Sequence, residues 1–454
     1  MADQHRSQWG RAWRLCGTCL LLPLLACVGF NPANVALEQF DPEYGYRPRT
    51  GDRRNPGSVF VYLAFSGGGT RAAAFAYGVL EELRDTRIVV DGVEKSFLEE
   101  VDTLSGVSGG SFPAAYYGLY GDRTFEEFEE RFLKKNIESI LIWRALRPWN
   151  LLRLMTPYLS RSDLASRYYH ENVFDGATFA DLSEAQGPNV FINATDLSSG
   201  ERLTFTQEGF DVICSDLNEF PIATALAASS AVPLLLAPVT FKNFAGSCNY
   251  QEPEWVQKVA TGQHQNPRQS RAARHYKRVL DSDSKKYFHL VDGGISDNLG
   301  LRPALDFISA VGGTRAALEV SAGEAPEHLV FIAVNAETDP DPAIDLSAAS
   351  PSFASLMNSV SGGQIRRYNF ETLMLTNNLL ESSARELSTP ERPVEGHMVY
   401  VGFDSFGDEK KRSYFKLLPT SFVLTHREVD DLRQAGRELL RASPTFQELL
   451  ERLR

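Results

Sequence analysis

The apolar positions of the chain fall into runs of two kinds that alternate. Val59–Phe65 (VFVYLAF) is continuously apolar, β-branched and aromatic, as suits a strand buried on both faces. A glycine turn follows, then a helical pattern through Arg84 that includes Ala72 to Ala74, Leu80 and Leu83. The unit repeats: residues 101–105 (VDTLS) predict a short strand, and a helix of small residues begins near Ser111. Further strands are expected at residues 189–195, 202–206, 287–291 and 329–335, most of them separated by helical patterns. This alternation predicts an α/β fold with a mainly parallel central sheet and helices on both faces. From about residue 337 the pattern is mostly helical, with a strand near 397–403 and an amphipathic helix from Glu428. There is no internal repeat.

Two stretches stand apart. Residues 121–170 are helical in pattern and carry Ile140-Leu141-Ile142-Trp143 and Trp149-Asn150-Leu151-Leu152-Arg153-Leu154-Met155, interleaved with Arg144 and Arg147. They suit either a lid or membrane-facing insertion, or a buried helical hairpin bent at Pro148 and Pro157. Residues 251–286 hold eight Lys or Arg against four acids without an apolar period, which predicts a surface loop.

With 43% hydrophobic and 23% charged residues, 454 residues are ample for a large core. The net charge of −12 gives no electrostatic reason to expect nucleic-acid binding or attraction to anionic lipid, so membrane contact needs another device. The amino terminus supplies one. Arg6, Arg11 and Arg14 precede a short apolar run from Leu15 to Val28, the pattern of a secretory signal rather than a membrane span. The run ends Leu24-Leu25-Ala26-Cys27, which resembles a bacterial lipobox, and lipidation at Cys27 would anchor the chain to a membrane. Residues 1–26 thus read as a signal peptide and 27–57 as an exposed tether. Cys214 and Cys248 either pair in an oxidising compartment or stand as two buried thiols. No CxxC or His pair of zinc-binding spacing occurs, so no metal is expected.

Three glycine-containing motifs carry chemistry. Gly106-Val107-Ser108-Gly109-Gly110 fits G-x-S-x-G, in which a serine on a tight turn between strand and helix projects its hydroxyl. Ser66-Gly67-Gly68-Gly69-Thr70-Arg71 follows the first strand and presents backbone N–H groups with no Cβ in the way, suited to an anion at a helix N-terminus. A dinucleotide site would want a third glycine where Ala72 stands, with Asp91 as a weak candidate for its acid, so the oxyanion reading is preferred. Asp292-Gly293-Gly294 ends the strand at 287–291 and could deliver a carboxylate, or could be a plain turn. His289, three residues before Asp292, points to the opposite face of that strand. His397 and His426 follow Asp292 in the order of an α/β-hydrolase triad but lack a supporting motif.

Together these segments, with Ala228-Ser229-Ser230-Ala231-Val232-Pro233 between serine and aspartate, resemble the patatin-like phospholipase family over residues 59–305. The resemblance implies a catalytic domain there, extending to about residue 335 with one further core strand, and a mostly helical C-terminal region at 337–454. It implies a Ser–Asp dyad without cofactor: Ser108 as nucleophile, Asp292 as base, and the N–H groups of Gly67, Gly68 and Gly69 as oxyanion hole. Arg71, Gly106, Gly110, Gly293 and Gly294 complete the motifs. The implied substrate is a phospholipid or other acyl lipid, met by an exported, lipid-anchored envelope protein. A non-catalytic lipid- or partner-binding lipoprotein and an acyltransferase on the same dyad stay open, as does the oligomeric state.

Overall fold

The computed structural model describes residues 32–48, 58–156, 158–233, 235–260, 267–320, 325–340, 344–346, 348 and 350–453. The leader, with Cys27, lies outside them. In chain order the elements that matter are β1 (Val59–Phe65), α1 (Gly69–Asp85), β2 (Val101–Val107), α2 (Ser111–Tyr120), α3 (Ile137–Leu146), α4 (Pro148–Leu154), α5 (Arg161–Asn172), β3 (Asn189–Asp196) and β4 (Arg202–Thr204). They continue with α6 (Ile222–Ser229), β5 (Val239–Lys242), α7 (Glu254–Ala260), α8 (Pro267–Leu280), β6 (Tyr287–Asp292), α9 (Arg302–Val311), β7 (His328–Asn335), α10 (Phe353–Leu387), β8 (Glu395–Gly402), α11 (His426–Arg441) and α12 (Pro444–Arg452).

The sheet runs in the order β8-β7-β1-β2-β3-β6-β5, with β4 paired to β3. The first five strands are parallel, whereas β6 lies antiparallel to β3, and β5 antiparallel to β6. Its two faces bury separate cores. Val61, Leu63, Phe65, Val330 and Ile332 face one, and Tyr62, Ala64, Phe331 and Ala333 the other. Two covered faces explain why β1 is apolar at every position rather than alternating. The expected α/β fold, patatin-like with a mainly parallel sheet, is what the chain adopts.

The boundary expected near residue 337 does not divide the core. β8 pairs with β7 along its whole length, and α11 packs along α1. Gly78 and Gly436 let those two helix backbones touch: a Cβ at Gly78 would lie 2.0 Å from the Arg433 carbonyl oxygen. Buried Glu81 and Glu82 are met by Arg433 and Arg441 of α11. The C-terminal region is therefore part of the catalytic-domain core.

Three other expectations change. Residues 32–48 are docked rather than an exposed tether: residues Val35–Ala36 pair with Ser215–Asp216, Leu37 is buried, and the Tyr46 hydroxyl bridges the N–H and C=O of Val190. Cys214 and Cys248 form a disulfide beneath this segment. Within the stretch expected to be a surface loop, residues 254–260 and 267–280 fold into α7 and α8. Their inward positions, Gln269, Ala273, Tyr276 and Val279, do follow helical spacing, but one is polar and one is a small alanine, which hides the stripe. Finally, α3 and α4 are not a buried hairpin. They carry Trp143, Leu146, Trp149, Leu151, Leu152 and Met155 exposed.

Candidate active site

The site forms where β2, β3 and β6 meet. Val107, the last residue of β2, pairs with Asn193, while Asp292, the last of β6, pairs with Ala194 on the other flank of β3. Ser108 and Asp292 therefore stand at the same level of the sheet, astride β3.

Ser108 has φ 49°, a left-handed backbone that a serine adopts only when its surroundings impose it. The turn is held from both ends. A Cβ at Gly106 would lie 2.4 Å from the Ser111 Cα, and one at Gly110 would lie 2.5 Å from the Ser66 carbonyl oxygen, so neither position has room for a side chain. The Ser108 N–H donates to the Ser229 hydroxyl at 2.9 Å, and that hydroxyl donates to the Asn193 carbonyl at 2.7 Å. Ser229, at the end of α6, also accepts the Gly293 N–H on its carbonyl at 3.0 Å. One residue thus ties the serine turn to the aspartate turn.

The Ser108 hydroxyl lies beside the Asp292 carboxylate, near enough to favour its charged form. Asp292 Oδ1 accepts the Gly294 N–H at 2.8 Å. Both side chains are buried, with Ser108 3% and Asp292 9% exposed. Burial raises the Asp292 pKa to about 6, against the opposing pull of the Ser108 side chain and the Gly294 N–H. An aspartate with that affinity for protons is a better base than one in water.

The glycine stretch sits against this pair. The Gly67 N–H is already donated to the Asn298 carbonyl at 3.0 Å, so Gly67 is not available as an oxyanion donor, contrary to expectation. Its place in the motif is steric: a Cβ there would lie 2.7 Å from Asn298 Oδ1 and 3.4 Å from the Ser108 Cβ. No acceptor for the N–H of Gly68 or Gly69 occurs among the described residues. Gly68 has φ 141°, which turns the chain into α1. Arg71 is buried without a carboxylate partner. It donates to the carbonyls of Ala336, at 3.0 Å, and Leu418, at 2.8 Å, fastening the glycine turn to the C-terminal region, and burial lowers its pKa to about 10.

The histidines lie elsewhere. His289 is exposed beside the Thr240 hydroxyl, His426 is exposed at the start of α11, and His397 pairs with His328. Asp91 is exposed in a turn far from the glycine stretch in sequence order, between two short strands. Sequence reasoning placed Ser229 in a family-like segment without giving it a role, and did not find Asn193 or Asn298 as parts of the site. Asn193 does leave a trace, as a buried polar residue inside the otherwise apolar start of β3; its amide donates to Ser105 Oγ and the Gly106 carbonyl.

The chain is similar in fold to human GIVD cytosolic phospholipase A2, with a TM-score of 0.47 at 12% identity over 87% of this chain and 62% of that one. The same human enzyme in complex with methyl gamma-linolenyl fluorophosphonate gives 0.40 at 15% identity, over 88% and 60%. VipD from Legionella pneumophila gives 0.29 at 11%, over 91% and 73%. The chain thus spans less than two thirds of the human enzyme. No curated protein sequence matches it. The family model for patatin-like phospholipase matches residues 63–305, which is more than half of the chain and includes every motif described above. The chain belongs to the patatin-like phospholipase family.

Proposed function

We propose that the protein is a serine hydrolase of lipid acyl esters that works through a Ser108–Asp292 dyad. The observation that carries this reading is Ser108, on its left-handed turn, standing level across β3 with a buried Asp292 whose basicity is raised. In the first half-reaction Asp292 takes the hydroxyl proton as Ser108 Oγ bonds to the ester carbonyl carbon. The carbonyl oxygen becomes an oxyanion, which the N–H groups of Gly68 and Gly69 at the start of α1 would stabilise. The intermediate collapses, the C–O bond to the alcohol breaks, and Asp292 returns the proton to the leaving oxygen. In the second half water attacks the acyl-serine, losing a proton to Asp292, which returns it to Ser108 Oγ as the bond from that oxygen to the acyl carbon breaks and the fatty acid leaves. Because Gly67 is engaged by Asn298, two donors rather than three serve the oxyanion.

The reading extends to location. A leader ending in Leu-Ala-Cys supports export and lipidation at Cys27, and the Cys214–Cys248 disulfide favours an oxidising compartment. The dyad would then be held at a membrane of the cell envelope, beside phospholipid or other acyl lipid.

Labelling by a fluorophosphonate probe, followed by lipid extraction from cells carrying wild-type or Ser108→Ala protein, tests the proposal. The expected result is labelling that disappears in Ser108→Ala and in Asp292→Asn, with free fatty acid released only by wild type. Folded wild-type protein that takes no label would favour a non-catalytic lipid-binding role. Acyl chains recovered on added glycerol or lyso-lipid instead of water would assign an acyltransferase.

A further inference from the structure

Eight exposed large apolar residues fall within one short stretch of the chain. Ile142, Trp143, Leu146, Trp149, Leu151, Leu152, Met155 and Tyr158 all face solvent along α3, α4 and the turn after them, with Trp143 72% and Trp149 73% exposed. A contiguous apolar surface of this kind marks a contact with something else. The arm is built to hold the residues outward. Leu154, Leu159 and Leu164 make a small core of their own beneath it, and α3 rests on α5. The Asn150 amide ties the α3–α4 corner by donating to the Arg144 carbonyl at 2.8 Å.

Charge identifies the occupant. From Ser139 to Ser162 the chain has four arginines, Arg144, Arg147, Arg153 and Arg161, and no acid, in a protein of net charge −12. Arg144 is engaged by Glu171 at 3.3 Å and by the Tyr168 ring, while Arg147 and Arg153 are exposed among the apolar residues, with no ion-pair partner among the described residues. Pairing with a second copy of the arm would bring like charges together. An anionic bilayer accepts both features, the tryptophans at the headgroup level and the arginines against phosphates. The arm is linked to the site through α5. α5 packs on α6, whose Ser229 holds the Ser108 amide, and the Ser162 hydroxyl at the start of α5 donates to the Ala237 carbonyl in the segment leading from α6 to β5.

We propose that α3 and α4 are an interfacial arm that seats the protein on anionic phospholipid and sets the Ser108 site against that surface. This deepens the hydrolase reading, since it names the surface from which substrate enters. The test uses the full chain with vesicles of brominated phosphatidylglycerol, and reads quenching of tryptophan fluorescence, which needs no turnover. The expected result is quenching in wild type that falls at least several-fold in Leu151→Glu/Leu152→Glu and in Arg147→Glu/Arg153→Glu. In both variants hydrolysis of a short soluble ester stays unchanged while hydrolysis of vesicle lipid drops. Quenching unaffected by both pairs, equal quenching by brominated phosphatidylcholine alone, or self-association that the same changes abolish would overturn it. Loss of soluble-ester hydrolysis in wild type would instead sink the hydrolase reading and leave the arm standing.

A separate observation points to a metal site. His328 and Glu395 are register partners at the start of β7 and β8, and His397 lies two residues on, so all three project from the same face. His328 Nδ1 and His397 Nε2 are 3.2 Å apart, and Glu395 Oε2 is 3.9 and 3.6 Å from them. Ligands about 2.0–2.1 Å from tetrahedral zinc stand roughly 3.3 Å from one another, so the triangle is close to the size required. Arg452 occupies the other oxygen, Glu395 Oε1, at 2.8 Å. The structure assigns His328, Glu395 and His397 as ligands of a structural zinc ion that clips β7 to β8, at the end of those strands opposite Asn335 and Gly402. Titration of the full chain with zinc should find one equivalent that raises the melting temperature and is absent from His328→Ala/His397→Ala. Zinc uptake and melting identical in the two proteins would overturn the assignment.

Discussion

Replacing Asp292 with Asn separates the chemistry of the site from its stability, and the structure gives each a sign. The carboxylate is buried, and its pKa is raised from 3.8 to about 6. The folded protein therefore binds a proton at Asp292 more tightly than the unfolded chain does. Below about pH 4 the group is protonated in both states and nothing is lost. As pH rises through 4 to 6 the unfolded chain ionises first, and stability falls until the folded carboxylate has ionised as well. Near pH 7 a shift of this size corresponds to roughly 3 kcal/mol of lost stability. An asparagine keeps an oxygen for the Gly294 N–H but has no charge to desolvate. Asp292→Asn should accordingly unfold at higher temperature or urea concentration than wild type at pH 7, by up to about 3 kcal/mol, and the gain should shrink toward zero near pH 4. Activity should move the other way, with kcat/KM on a soluble short-chain ester lower by a factor of roughly 10² to 10⁴ or more. In wild type the acidic limb of kcat/KM should fall at about pH 6, because the carboxylate is the working form. Urea melts of both proteins from pH 4 to 8, with the pH–rate profile of wild type, supply the measurements. A stability difference that does not vary with pH, or an acidic limb near pH 4, would refute the reasoning.

Three more outcomes are expected. Arg71→Ala leaves the buried carbonyls of Ala336 and Leu418 without their donor and should destabilise by about 2–5 kcal/mol in chemical denaturation, with Arg71→Lys recovering part of it. Ser229→Ala unpairs the Ser108 N–H and the Asn193 carbonyl; a loss of about 1–3 kcal/mol should come with a kcat lowered roughly tenfold or more, read from denaturation and steady-state kinetics. Removing the Cys214–Cys248 bond, which closes a 34-residue separation, by Cys→Ser at both positions should lower stability by up to about 4 kcal/mol, and reductant should then have no further effect on melting.

The parts of the fold that were legible in the sequence are those where local chemistry and global position agree. β1 reads as a buried strand because both of its faces are covered, and the serine turn reads as a turn because backbone crowding leaves glycine no substitute at 106 and 110. What stayed hidden depends on pairing between distant segments. Nothing in Tyr287–Asp292 says that it runs antiparallel to β3, since apolar content is the same for either direction. The engagement of Gly67 by Asn298 could not be read from three consecutive glycines that look alike. Residues 32–48 are polar enough to suggest a tether, yet Tyr46 and Leu37 are inserted into the body, and two buried apolar residues in seventeen leave no period to detect.

Register is what joins these observations. Ser108 is fixed by the end of β2 and Asp292 by the end of β6, and neither strand touches the other in the sheet order. β3 lies between them and sets their relative height through Asn193 and Ala194, while Ser229 couples the two turns from the α6 side. A slip of one residue in either pairing would move the carboxylate by about 3.3 Å and reverse the face of its side chain. The dyad therefore depends on a non-reacting strand and on one serine hydroxyl as much as on its own two side chains. This is also why a low-pKa carboxylate would be the default here, and a raised one requires the closed, dry geometry that the packing of these turns produces.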